Sequence, residues 1–419
     1  MVKSYLPVSA ITLGLFVTSC GGGSSGNSSS LQLSASMPTS SNGVSNVVIA
    51  SDRANVAVGA TYNLSWTITG DGSCTISGAI NQTVTASGAT EVTDIAEGEY
   101  TTSITCGAVS DSVKVIVIPE FVSVPDTTFE RMLGRLGYEI SDGQMSGTDA
   151  LAVGQLCITS DYGFYGDPDE FGRVVFGNPN VPDTGTTCVY TDIDEYISDT
   201  TGLEYFLNLQ TMRLEHQQFS DININNLNQL SFLSLWGNPL YELDLTKSPA
   251  LTHLGLSETS LTSVDTSNLP ELEEAAFQQS DRELPYSTPS GAIVYGFQFL
   301  DFSQNGKLER IYVHSNPLTN FGIDNNKSSL RELWANNTQI QSLDLSGFEN
   351  LRYIILNSSE NLDYLNVYGV DNNTVPFRFY CTGCPDLNEV IVFDAPAFEA
   401  ANGANGVFLD DHIIFVEGP

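Results

Sequence analysis

Seven cysteines, four histidines and fifty carboxylates are the side chains of this chain with chemistry to offer. Cys381 and Cys384 form a Cys-x-x-Cys. Zinc needs four ligands, and neither a second such pair nor a spaced histidine pair exists. A thioredoxin-like redox site needs a βαβ setting, which the flanking residues do not offer. A structural disulfide is the first reading, and reduced core cysteines are the second. His216, His253, His314 and His412 accompany no nucleophile pattern. Gly22-x-Ser24-x-Gly26 spells a hydrolase elbow, but no strand or helix surrounds it. Asp161, Asp167, Asp169 and Glu170 could hold Ca²⁺ with oxygen ligands. They lack EF-hand spacing, so a solvated acidic loop is the better reading. No acid/base pair stands out. We therefore expect no enzyme, no catalytic residue, no metal and no cofactor.

The ends and the charge narrow the class further. Lys3 precedes an apolar run at 8–16 that is too short to span a bilayer. The run ends in Val17-Thr18-Ser19-Cys20, which resembles the lipobox of bacterial lipoproteins. The resemblance implies a signal peptide over 1–19, cleavage before Cys20, a diacylglycerol thioether on its sulfur and an acylated new N-terminus. An ordinary secretory signal with a chance cysteine is the alternative. Gly21, where an inner-membrane protein would carry Asp, implies an outer-membrane lipoprotein, facing the periplasm or the cell surface. Residues 20–30 read as a flexible Gly/Ser tether. The formal net charge is −35 and no Lys/Arg cluster exists, which excludes nucleic acid as a partner.

With Cys20 set aside for lipid, six cysteines remain. An even number in an exported chain favours disulfides. Sequence allows 15 pairings of six cysteines. Domain locality favours Cys74–Cys106, Cys157–Cys188 and Cys381–Cys384.

The elements follow from periodicity. Over 31–119, strand-like runs alternate with turn residues. Leu64, Trp66 and Ile68 share one face, as do Tyr100, Thr102, Ile104 and Cys106; Val113, Val115 and Val117 come after them. Period-2 alternation with frequent turns predicts a β-sandwich. Trp66, Cys74 in SCTISG and Cys106 in YTTSITC resemble bacterial immunoglobulin-like domains. In the antibody type, however, the Trp lies between the cysteines, and here it precedes both. The domain reads as a stalk, with an adhesive module as the alternative.

Residues 120–200 read as an N-terminal cap with an insertion. Thr127 and Glu130 suggest a capping box. Phe129, Met132, Leu133 and Leu136 keep helical spacing, and Gly137 is a stop. The segment resembles the cap of bacterial leucine-rich-repeat proteins. Leu156-Cys157-Ile158 looks like the first strand. Residues 159–187 look like an insertion stapled at its base by Cys157–Cys188. Residues 197–206 restart the pattern much as internalin-like proteins do.

Over 201–419 one motif returns. Leu230, Leu233, Leu235, Asn238, Leu240, Leu243 and Leu245 are followed by Leu251, Leu254, Leu256, Thr259, Leu261 and Val264. This is the leucine-rich-repeat signature, whose fixed period implies a solenoid. Mainly β structure with little helix is expected, with nine or ten parallel strands on a concave side. An interruption spans 281–296, and the tail from Phe393 closes the end.

Between the inward leucines, alternate residues point outward from the concave sheet. Those positions hold Phe232, Trp236, Arg310, Tyr312, His314, Trp334, Tyr353, Arg378 and Tyr380. Trp, Tyr and Arg dominate interface hot spots, so these residues are the candidate ligand-binding set, expected to be solvated. The inward positions of the same turns hold Ile311, Leu333 and Ile354. Cross-strand stacking that merely stabilises the sheet is the competing reading. The partner expected is a protein or peptide. A glycan is second, because aromatic platforms also stack on sugars. A structural envelope protein without a specific ligand is third.

Overall fold

The computed structural model describes residues 43–160, 188–192, 194–280, 285–287, 292–370, 378–401 and 407–418. Cys20, its signal run and the tether lie outside the described residues. So do Asp161, Asp167, Asp169 and Glu170.

The first 76 described residues, 43–118, make two sheets. Val44–Ser51, Tyr62–Gly70 and Gly88–Val92 form an antiparallel three-stranded sheet. The other sheet has five strands, in the order Asn55–Ala57, Val109–Ile118, Gly98–Cys106, Cys74–Ser77 and Gln82–Val84. Val47, Ile49 and Trp66 from the first sheet meet Ile76 and Ile104 from the second. Leu64 and Ile104 are fully buried, as the alternation requires. Trp66 Nε1 donates to the Ala86 carbonyl, which satisfies its one polar atom. Cys74 and Cys106 are bonded. They sit on neighbouring strands of one sheet, where Thr75 pairs with Thr105. The bridge therefore does not cross between sheets, so Trp66 has no inter-sheet disulfide to pack on.

The two sheets have apolar clusters of their own, and only the end of the five-stranded sheet reaches the cap. Ala57 and Ile118 belong to the same apolar cluster as Val122, Val124, Phe129 and Met132. Asn55 Nδ2 donates to Asn208 Oδ1 at 3.0 Å. Gly147 must be glycine here, because a Cβ would stand 2.1 Å from the Pro119 carbonyl oxygen.

The cap helix runs Thr127–Arg135 and buries Phe129, Met132 and Leu133. Its N-cap is Asp126, one residue before the expected Thr127. One carboxylate oxygen accepts from Thr128 N and Phe129 N. The other accepts from Ser198 N and Asp199 N. A carboxylate satisfies two orphan donors and favours the positive end of the helix, so Thr127 and Glu130 need not form the capping box. Gly137, at φ +98°, ends the helix as read from the sequence.

The rest is organised by one long sheet. Its strands run, in spatial order, Val189–Thr191, Gln155–Ser160, Thr211–Glu215, Phe232–Ser234, His253–Gly255, Glu274–Ala276, Arg310–Tyr312, Glu332–Trp334, Tyr353–Ile355, Arg378–Cys381 and Val407–Leu409. Every neighbouring pair is parallel. Among the described residues the sheet has eleven strands, not nine or ten. The excess lies at the edges. Val189–Thr191 adds a strand beyond Gln155–Ser160, and the tail supplies Val407–Leu409. Neither has a leucine pattern to announce it. The inward residues form one register line: Leu233, Leu254, Ala275, Ile311, Leu333, Ile354 and Phe379. All are at most 1 % exposed. The interruption leaves between Ala276 and Arg310 and the register survives it.

Two polar devices repeat along the stack. Asn238 is fully buried. Its Nδ2 donates to the carbonyls of Leu214 and Leu235, and its Oδ1 accepts from Gln217 N. Asn316 does the same work for Phe277, Val313 and Phe297. The Asp of the Leu-Asp-Leu steps accepts from the amide two residues on, at Asp244, Asp265, Asp301 and Asp344. Those carboxylates are turn formers. In the last turns the second half also becomes strand. Ser342–Asp344, Tyr364–Asn366, Glu389–Val392 and Ile414–Glu417 form a second parallel sheet. Cys157–Cys188 and Cys381–Cys384 are both bonded.

Candidate functional site

Register places the outward residues in rows. One row reads Arg213, Ser234, Gly255, Ala276, Tyr312, Trp334, Ile355, Tyr380 and Phe408. Beside it run Thr211, Phe232, His253, Glu274, Arg310, Glu332, Tyr353 and Arg378. The first of these rows is small at Ser234, Gly255 and Ala276 and mostly aromatic in its last turns.

The aromatic rings touch in sequence. Tyr312 meets Trp334 edge-on, with centroids 5.3 Å apart. Trp334 stacks on Tyr353 at 5.7 Å, Tyr353 lies 6.1 Å from Tyr380, and Tyr380 stacks on Phe408 at 5.3 Å. His314 reaches the other side of Trp334 at 6.2 Å. The Arg378 guanidinium stands 5.8 Å over Tyr353, within cation–π range.

The expected solvation is not what the structure has. Trp334 is 6 % exposed, Tyr353 4 % and Tyr380 7 %. With Ile355 they make an apolar cluster of their own, separate from the leucine core. Parallel strands lie about 4.8 Å apart, closer than these rings are wide. Rings in adjacent turns therefore cover one another. Phe408, at 39 %, ends the row with the most exposed ring. Sequence reasoning missed it because the tail carries no repeat motif. Tyr312 OH donates to Glu332 at 3.2 Å, and burial pushes the Tyr312 hydroxyl well above its ordinary pKa.

The earlier candidates lie apart from this row. Phe232 stacks on His253 at 5.8 Å, with the Arg213 guanidinium 5.6 Å from its ring. Trp236 is 8 % exposed and its ring meets His216 at 4.4 Å. Arg310 Nε bonds Glu274 at 2.6 Å. Arg213 pairs with Glu215, which also accepts from Ser234 Oγ at 2.5 Å. Along this face Arg213, Arg310 and Arg378 equal in number the carboxylates Glu215, Glu274 and Glu332, and Arg213–Glu215 and Arg310–Glu274 are ion pairs. The face is thus charge-balanced in a chain of net charge −35.

A cavity of about 660 Å³ lies elsewhere, lined by Asp221, Asn223, Glu242, Asp244 and Asp265. Hydrogen bonds from Thr246 and Ser267 hold Asp244 and Asp265 below the usual carboxylate range. Among the described residues no group of three or more His, Cys, Asp or Glu is placed to hold a metal ion. Nor is any helix among them long and apolar enough to cross a membrane.

No protein-family model and no curated protein matches the chain. Similar solved structures include the functional domain of InlJ from Listeria monocytogenes, described as including a cysteine ladder. It is 16 % identical, with 66 % of this chain and 78 % of that one covered and a TM-score of 0.26. An internalin, InlF, from Listeria monocytogenes strain 4b F2365 is 15 % identical over 70 % of this chain and 91 % of that one, with a TM-score of 0.32. The leucine-rich-repeat domain of APL1B is 14 % identical over 54 % and 91 %, with a TM-score of 0.21. At such TM-scores the likeness carries no functional argument. The leucine-rich-repeat fold rests on the parallel sheet and its inward register line.

Proposed function

We propose that this chain is a cell-envelope protein that binds a protein or peptide partner through the outward face of the long sheet, the concave side of a leucine-rich-repeat solenoid. The observation that carries the reading is the charge-balanced aromatic row on a strongly acidic chain. A net charge of −35 keeps other acidic macromolecules away, whereas this face has its charges matched and Arg beside aromatic rings. The contact set is Arg310, Tyr312, His314, Trp334, Tyr353, Arg378 and Tyr380, now with Phe408; Phe232 and Trp236 mark its earlier end. The rings cover one another's faces, which favours a peptide over a glycan. A sugar needs a free ring face, and among the described residues of the row Phe408 is the most exposed, with one face still on Tyr380.

The rest of the chain serves that face. The lipobox-like Val17-Thr18-Ser19-Cys20 anchors the protein in the outer membrane by lipid on Cys20. The immunoglobulin-like sandwich stands between anchor and repeats as a spacer, with Ala57 and Ile118 packed against the cap.

The test uses residues 21–419 on arrays of proteins and glycans. Protein capture lost in Phe408→Ser and Arg378→Glu, and kept in Lys247→Ala, an exposed position between the strands Phe232–Ser234 and His253–Gly255, supports the reading. Capture of glycans alone, or capture indifferent to both face variants, overturns it. For the anchor, Cys20→Ser should leave the membrane fraction or accumulate as precursor. Equal membrane retention contradicts lipidation.

A further inference from the structure

Register sets an order of charges along one row of the outward face. His253, Glu274, Arg310 and Glu332 are direct neighbours on four successive strands. Arg310 Nε bonds Glu274, and Glu332 accepts from the Tyr312 hydroxyl. Neighbouring strands lie about 4.8 Å apart, so Glu274, Arg310 and Glu332 alternate in sign at close range. His253 stands where one more cation would continue that alternation.

The surroundings of His253 fit both states of its ring. One ring face lies on Phe232, and the residue is half-buried, which leaves water a path to it. Nδ1 is 2.8 Å from Thr252 Oγ1, and that hydroxyl donates to the Ser231 carbonyl at 3.0 Å. An imidazolium has two N–H donors. Thr252 Oγ1, with its own proton on the carbonyl, accepts the one at Nδ1. Among the described residues no hydrogen bond reaches Nε2, so the second donor is left for an occupant, and its natural acceptor is a carboxylate. The charged groups facing the ring are Glu274 and Glu273 on one side, with Arg310 a strand further, and Arg213 beyond Phe232 on the other. Burial lowers the His253 pKa, against the pull of Glu274 and Glu273, and Arg310 adds to the lowering. At neutral pH the ring is therefore uncharged, and the three arginines and three glutamates of the face cancel. A proton on His253 gives the face one net positive charge. The negative charge of the whole chain is screened beyond about 8 Å at physiological salt, so these near charges decide what the face accepts.

We propose that His253, once protonated, donates from Nε2 to a carboxylate of the bound segment, so that this face takes acidic peptide segments in mild acid and releases them at neutral pH. This rests on the reading that the long sheet's outward face is the contact face. The aromatic turns that follow hold the rest of the segment, and the histidine sets the pH at which its acidic part is held.

The probe is a pool of histidine-free random peptides containing Asp, compared with an equal pool containing Lys in its place. Both are applied to disulfide-bonded residues 21–419 at about pH 7.5 and about pH 5.5, one unit either side of an ordinary histidine. The Asp pool should bind about fivefold more tightly at the lower pH, the scale of one partly exposed ion pair. The Lys pool should show no such gain. His253→Gln should lose the gain, and His253→Lys should bind the Asp pool at the higher pH as the parent does at the lower. The imidazole titration followed by NMR should move to higher pH when an Asp peptide binds, which a merely structural histidine would not do. If His253→Lys fails to fold, His253→Gln and the imidazole titration decide the matter alone. Failure of the Asp pool to bind at either pH overturns the proposal. So does an equal pH response in the parent and His253→Gln, or an imidazole titration that the Asp peptide leaves unmoved. If Phe408→Ser and Arg378→Glu weaken capture while His253→Gln keeps the parent's pH response, the contact face stands and the proton site is wrong. Indifference to all four variants sinks both.

Discussion

The indole of Trp334 lies 5.7 Å from the ring of Tyr353, with their planes 23° apart. The two residues are not register partners, since Trp334 pairs with Ile355 and Tyr353 with Glu332. The stack is therefore diagonal and ties two rows of the outward face together. Diagonal neighbours on a sheet are within reach of aromatic side chains.

Trp334→Ala accordingly carries a stability cost. The side chain is 6 % exposed, so its removal should cost on the order of 3 kcal/mol. Thermal melting and affinity must be read on the same protein. A large fall in Tm with unchanged capture of the array partner would mark this ring as sheet packing, and the contact would move towards Phe408. A nearly unchanged Tm would contradict the packing described here.

The two repeated polar devices should differ in worth. Asn238→Ala strips carbonyl and amide partners in a fully buried turn. Each group left unsatisfied costs about 1–3 kcal/mol. Asp244→Ala loses an Asx turn at an exposed position and should cost no more than about 1 kcal/mol. Denaturant titration of the two variants checks the order, and a reversed order would show that the exposed turns bear more of the stability than the buried ladder.

His216 makes stability depend on pH. Burial lowers its pKa below the ordinary 6.5, against the opposing pull of Glu215 and Glu258. The folded state thus binds fewer protons than the unfolded one at acid pH. This contribution is fully present above about pH 6.5 and is lost as pH falls through the lower folded value. His216 has φ +54°, so Asn, which tolerates that region, is the replacement. The Tm of His216→Asn should fall less than the parent's as pH drops below 6.5. Parallel curves would remove His216 as a cause.

The disulfides should differ with loop length. Cys74–Cys106 closes a separation of 32 residues and Cys381–Cys384 one of 3. Chain entropy assigns the first about 3–4 kcal/mol and the second about 2 kcal/mol. Replacing each pair by alanine and melting both variants tests this. Peptide mapping without reductant should recover the three links; a link between other cysteines would contradict the structure.

Much of this molecule was legible from residue spacing alone. The leucines, with Asn238 as the polar step, named the inward positions, because no single turn can bury its apolar face without a neighbour of like sequence. Locality was enough to pair the six cysteines. Phe129, Met132 and Leu133 marked the buried side of the cap helix. Period-2 alternation also told which side of the sheet Trp334 and Tyr353 leave from. It could not tell how much of them water reaches. That depends on lateral neighbours contributed by turns some twenty or more residues away, and on rings wider than the strand spacing, so an outward row became a second apolar cluster. Tertiary contact alone decided the rest. The carboxylate of Asp126 reaches two strands of chain at once, which displaced Thr127 as the cap. Val189–Thr191 and Val407–Leu409 joined the sheet because an open edge pairs with whatever backbone lies beside it, leucine pattern or not. Gln278 reads as one more polar residue between leucines, and only the packed face shows its amide closed off from water with both ends unpaired.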